Sequence, residues 1–164
     1  GDHLVGQVTL VRQDERTFDF SWRDNITMFD PDVGDDAVQQ AVRDAQLLSL
    51  VNSRDQGLDT RMWEYGGSMS AGQWQCVALA RAFARDPAVL ILDGALNALD
   101  GVTASAIDAA IRARGMTCIV LGHRSAWMAP DDQVIVIGDG GVVERGTHAT
   151  LLAHGTHYQQ LVTP

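Results

Sequence analysis

Two short stretches hold the residues whose types and order could do chemistry. In Ala88-Val89-Leu90-Ile91-Leu92-Asp93 an apolar run ends in a carboxylate. A strand of a parallel sheet that ends this way puts its carboxylate at the edge where ligands bind. Hard oxygen donors of that kind suit Mg²⁺. A helix cap or a turn uses an aspartate just as well, so the run alone leaves both readings open. The second stretch, Ser70-Ala71-Gly72-Gln73, opens a helical pattern. A helix start offers unpaired N–H groups and the positive end of a dipole, and Gly72 lets a ligand approach the backbone closely, which suits a phosphate. Plain capping by Ser70 accounts for the same residues.

The elements that must position these groups follow from pattern. Gly6–Gln13 alternates as a strand, with Val8, Leu10 and Val11 apolar. After a polar loop, Trp22–Phe29 precedes Asp30-Pro31, where proline disfavours a continuing helix. Asp35–Val51 reads as one or two helices, and Arg54–Gly67 as a loop. Ser70 caps a helix running to about Arg85, with Cys76, Leu79, Ala80 and Phe83 on one face. Ala88–Leu92 is an unbroken apolar run, expected as a strand covered on both faces, and Thr117–Leu121 is a second fully apolar strand. Between them a helix from about Val102 to Arg114 turns Ile107, Ala110 and Ile111 inward and ends at Gly115. Gln133–Ile137 and Gly141–Glu144 flank Gly138-Asp139-Gly140, a hairpin signal, and Thr147 caps a final helix. Buried strands alternating with helices predict an α/β layer with a mainly parallel sheet.

Composition narrows the rest. The 164 residues carry 12 Lys+Arg against 21 Asp+Glu, a net charge of −9, and are 46% hydrophobic. A chain of this length supports one domain and buries roughly 70% of its unfolded surface. Net acidity argues against nucleic acid as a partner. Trp22, Trp63, Trp74 and Trp127 are scattered without basic interleaving, so packing or interface contact fits them better than base stacking. All 12 basic residues are Arg, so these residues hold no phosphate-gripping P-loop lysine.

Taken together the landmarks form an ordered string that resembles the ATP-binding cassette (ABC) proteins. Ser70-Ala71-Gly72-Gln73 resembles the signature motif, Asp93 after its apolar run the Walker B aspartate, and Ala98-Leu99-Asp100 the D-loop. Gln13 matches the Q-loop glutamine, Trp63-Glu64-Tyr65-Gly66 the x-loop of exporters, and His123 in Leu121-Gly122-His123-Arg124 the switch histidine. Val142–His148 is similar to the closing segment of the family, and Asp24–Pro31 resembles peptide and bacteriocin exporters.

The resemblance implies a P-loop NTPase-like (RecA-like) α/β fold with a helical signature subdomain at about 22–86, and a catalytic-core subdomain from 1–21 and 87–164. It implies ATP and Mg²⁺ as cofactors. Asp93 and Gln13 would hold the metal, with Gln13 and His123 at the reacting phosphate. Ser70, Ala71, Gly72, Gln73 and Asp100 would face nucleotide across a dimer with a second ABC nucleotide-binding domain, identical or different. Glu64 would touch a transmembrane domain, at the cytoplasmic face of the cell membrane. There are departures from the pattern. The P-loop would lie upstream of Gln13 and has no counterpart, so the chain resembles a cassette that begins partway. Gly94 stands where the family has the glutamate general base, and losing such a base costs on the order of 10²–10⁴ in rate. Ala71 replaces a glycine. The expectation is therefore an exporter ATPase domain that is degenerate or inactive by itself, or a non-catalytic cassette-like module that completes a partner's ATP site.

Overall fold

A computed structural model describes residues 7–15, 17–62, 69–122 and 128–162. The chain divides into two compact units, residues 1–122 and 123–164.

The first unit is built on a three-stranded parallel sheet in the order β1 (Val8–Arg12), β2 (Val89–Asp93), β3 (Thr117–Leu121). The register pairs Val11 with Leu92 and Leu92 with Val120, and it brings Arg12 beside Asp93 and Asp93 beside Leu121. The helices of the unit are α1 (Trp22–Thr27), α2 (Asp35–Asp44), α3 (Leu48–Asn52), α4 (Ala71–Ala84) and α5 (Gly101–Arg114), with a single 3₁₀ turn at Gly57–Asp59. The stretch expected as one or two helices is two, broken where Gln46 takes φ 59°. α5 ends as expected at Gly115, which adopts φ 67°; its inward residues are Ala104, Ile107 and Ile111, with Ala110 only half-buried.

Two burial expectations fail for one physical reason. The α4 helix buries every residue from Gln75 to Ala84, not one face, because α1, α2 and β1 all pack around it. The sheet shows the converse. Val11, Leu90 and Leu92 lie on a covered face, but Leu10, Ile119 and Leu121 on the other face are 46–49% exposed. A continuous apolar run fits burial on both faces, yet among the described residues of this unit no element covers that second face.

The second unit is an antiparallel hairpin of β4 (Gln133–Gly138) and β5 (Gly141–Thr147), followed by α6 (His148–His154) and α7 (His157–Val162). Asp139 and Gly140 both have positive φ, 50° and 79°, which is the twist a two-residue hairpin turn needs. Thr147 caps α6 through the Thr150 amide. Among the described residues no helix is long and apolar enough to cross a membrane.

Candidate functional site

At the tip of α4, Ser70 leaves the helix in an extended conformation. Its Oγ accepts the Gln73 N–H at 3.2 Å, and Gln73 Oε1 accepts the Ser70 N–H at 2.9 Å. This reciprocal cap satisfies two backbone donors and fixes both side chains. It leaves the Ala71 and Gly72 amides in the first turn, where no intrahelical carbonyl can reach them. Ser70, Gly72 and Gln73 line a cleft of about 600 Å³ whose other walls are the Gln46–Ser53 segment and Ala98–Thr103. Asp100 stands on the rim and caps α5, accepting the Val102 and Thr103 amides at 3.0 and 2.9 Å. The Thr103 amide, and then its hydroxyl, hold the Asp100 carboxyl below the usual range. Cys76 lies deeper in the same wall, and burial pushes its thiol up to about 11, with Asp100 adding to the effect.

Gly72 has a structural reason beyond ligand approach. A Cβ there would meet the Ala98 carbonyl oxygen at 3.0 Å, so the missing side chain lets the loop before α5 close onto α4.

A second cluster forms at the ends of the strands. Asp93 is exposed at the end of β2, and Gly94 follows it at φ 64°, donating its N–H to the Leu121 carbonyl at 3.1 Å. A Cβ on Gly94 would lie 3.1 Å from Gln13 Oε1 and 3.2 Å from Asn97 Nδ2. The Gln13 carboxamide therefore crowds the position where a side chain at 94 would start. One carboxylate and one carboxamide oxygen fit Mg²⁺, which keeps several waters and takes further oxygens from a phosphate ligand. An all-protein cage is not there: among the described residues no group of three or more His, Cys, Asp or Glu converges. His123 and Glu64 lie outside the described residues.

The loop between Gln13 and α1, together with Phe29 just beyond α1, presents an aromatic surface. Phe18, Phe20 and Phe29 are each about half exposed, and the Phe20 and Phe29 rings meet edge to face at 4.9 Å. Met28 and Phe29 hold Phe29 outward at φ 54° and 62°, a conformation rare for such residues. Behind them sit polar residues that sequence reading missed. Buried Asn25 accepts the Phe18 N–H at 2.8 Å and donates to the Phe18, Phe20 and Ser21 carbonyls. Buried Arg81 reaches this region from α4, and buried Gln75 on the same helix reaches the Arg12 carbonyl at the end of β1. Their signal in sequence was only that polar residues interrupt an apolar helix.

The ABC transporter family profile matches residues 2–97. The chain belongs to the ABC transporter family. Among relatives, it is 37% identical over 160 residues to the uncharacterized ABC transporter ATP-binding protein YwjA of Bacillus subtilis. It is 38% identical over 161 residues to the ATP-dependent lipid A-core flippases of Escherichia coli and Salmonella typhimurium. Each alignment covers 96% of this chain and 28% of the relative. A solved bacterial Atm1-family ABC exporter with ATP bound superposes with a TM-score of 0.85 at 30% identity, covering 95% of this chain and 28% of that one. The chain thus spans little more than a quarter of the length of the relatives it matches. Its fold is that of an exporter-type ABC nucleotide-binding domain. In this ABC segment the structure brings Ser70, Gly72, Gln73 and Asp100 to one cleft, and Gln13 to Gly94 beside Asp93.

Proposed function

We propose that the chain serves as part of the ATP-binding domain of an ABC exporter, in a machine that couples Mg²⁺-ATP binding and hydrolysis to movement of a substrate across a membrane. The observation that supports this most is the cleft in which the Ser70 cap, Gly72, Gln73 and Asp100 converge at the start of two helices. On this reading the Ser70 hydroxyl and the Ala71 and Gly72 amides bind the terminal phosphate of a nucleotide held by a second cassette, and Asp100 faces that partner. Asp93 and Gln13 hold Mg²⁺, which when bound neutralises charge on the phosphates. His123 takes the γ-phosphate contact and Glu64 the contact with the membrane domain, to which the aromatic surface of Phe18, Phe20 and Phe29 adds. Residues 22–86 act as the helical subdomain, and the domain lies at the cytoplasmic face of the cell membrane. Two of the relatives are lipid A-core flippases, and a lipid-like substrate is the class we adopt.

Hydrolysis at this chain's own Asp93 side is weak or silent on this reading, because glycine at 94 offers no carboxylate to polarise water. The same residue favours a second reading, a non-catalytic module that completes a partner's site, since Gln13 occupies the approach to position 94. The test mixes the chain with an intact cassette and weighs the complex by light scattering. Association that needs Mg²⁺-ATP, fails with ADP and is lost in Ser70→Glu supports both readings. Association indifferent to nucleotide overturns them. Mg²⁺-dependent turnover from the Asp93 side, lost in Asp93→Asn, removes the non-catalytic reading.

A further inference from the structure

The α4 helix is polar at three places along its length, and each place grips something different. Its tip is the Ser70–Gln73 cap on the cleft. Gln75, 3% exposed, donates from Nε2 to the Arg12 carbonyl at 3.1 Å, across 63 residues of chain. That carbonyl belongs to the peptide from which Gln13 hangs. Arg81, 8% exposed, donates from Nε to the Asn25 carbonyl at 2.6 Å and from a terminal nitrogen to Asn25 Oδ1 at 3.1 Å. Asn25 Oδ1 is also the acceptor for Phe18 N–H, and the Arg81 guanidinium lies 5.9 Å from the centre of the Phe18 ring.

Burial of a guanidinium and a carboxamide in a helix that is otherwise apolar costs stability unless every bond is made. Packing alone does not call for polar groups here; apolar residues of similar volume fill such space at least as well. What the polar groups supply is direction. A fork of two bonds to one residue fixes Asn25, and Asn25 in turn fixes the backbone of Phe18, Phe20 and Ser21 through four bonds of its own.

We propose that Gln75 and Arg81 are positioning residues that make α4 a strut, holding the Gln13 peptide and the Phe18–Ser21 loop in fixed relation to the Ser70–Gly72 tip. The strut rests on the function proposed above only for the meaning of its ends: nucleotide at the tip, metal and water at Gln13, membrane domain at the aromatic loop. Displacement of the tip then carries Gln13 and the aromatic surface with it, because the links are buried side-chain hydrogen bonds from one rigid helix.

The test is amide hydrogen exchange of the chain as it stands, without nucleotide, on wild type, Arg81→Met, Arg81→Lys and Gln75→Leu. Met keeps the packed stem and removes the donors; Lys keeps the charge and a single donating nitrogen. Protection of the Phe18 amide is expected to fall at least tenfold in Arg81→Met and to be restored at least in part in Arg81→Lys. Gln75→Leu is expected to loosen the Gln13 amide but not that of Phe18. Leu90–Leu92 should keep wild-type protection in all three. Equal protection at Phe18 in the Met and Lys variants overturns the proposal, since a space-filling arginine behaves that way. So does a loss spread evenly through the sheet. Association with an intact cassette that is indifferent to nucleotide would sink the function proposed above and leave this measurement standing.

Discussion

Gly94 sits at φ 64° with the Gln13 carboxamide oxygen 3.1 Å from where a Cβ would be. A side chain in that conformation costs roughly 1–2 kcal/mol even in open space, and here the space is taken. Gly94→Ala should therefore destabilise the chain by about 1–2 kcal/mol in urea unfolding. Gly94→Glu should lose at least as much in the same unfolding experiment, because its longer side chain starts against the Gln13 carboxamide. A wild-type midpoint for Gly94→Ala would refute the strained geometry. Asp93 gives the opposite expectation. It is exposed at a strand end, so Asp93→Asn should change stability by less than about 0.5 kcal/mol, while Mg²⁺-dependent nucleotide binding falls. The sequence showed that a base was absent at 94, because residue identity alone says so. It did not show the backbone reason why a base is hard to put back, since φ is set by the Gly94 N–H bond to Leu121, a residue distant in the chain.

At the level of elements, what sequence revealed was whatever local chemistry decides. The α4 start at Ser70 and the α5 end at Gly115 are written in caps, and the Asp139-Gly140 turn in its residue types. Ser70→Ala removes one of the two reciprocal bonds at the α4 tip and should cost about 1 kcal/mol, read as a lowered urea midpoint with unchanged slope. Ser70→Asn, also a good cap, should recover most of that stability but not nucleotide-dependent association, which separates the cap from the contact. Burial was less legible because it depends on what packs from far away. The α4 helix is surrounded, so the stripe of Cys76, Leu79, Ala80 and Phe83 was only part of its buried surface, and Gln75 and Arg81 are core as well. Cys76 gained its meaning only from the fold. With its thiol raised to about 11 by burial, it should resist alkylation near pH 8 and react only on unfolding.

At the scale of the whole molecule, the response of the second unit to acid turns on one side chain. In the second unit one carboxylate does the work of a cap: Glu144 on β5 accepts the Thr156, His157 and Tyr158 amides at 2.6, 2.9 and 2.9 Å, tying the hairpin to the start of α7. Gly155 makes room for it, since a Cβ there would lie 2.9 Å from Glu144 Oε2 and 2.7 Å from the Leu151 carbonyl. These amides, with those of His157 and Tyr158 foremost, draw the Glu144 carboxyl from the ordinary 4.5 down to about 2. A carboxyl depressed in the folded state stabilises it fully above the unfolded value and loses that contribution as pH falls toward the folded one. The second unit should therefore weaken between about pH 4.5 and 2. The Thr156, His157 and Tyr158 amide resonances in an NMR titration should move together with a midpoint near 2, and Glu144→Gln should abolish that titration and lower stability at neutral pH. A shared midpoint near 4.5 would mean that the clamp is not formed in solution.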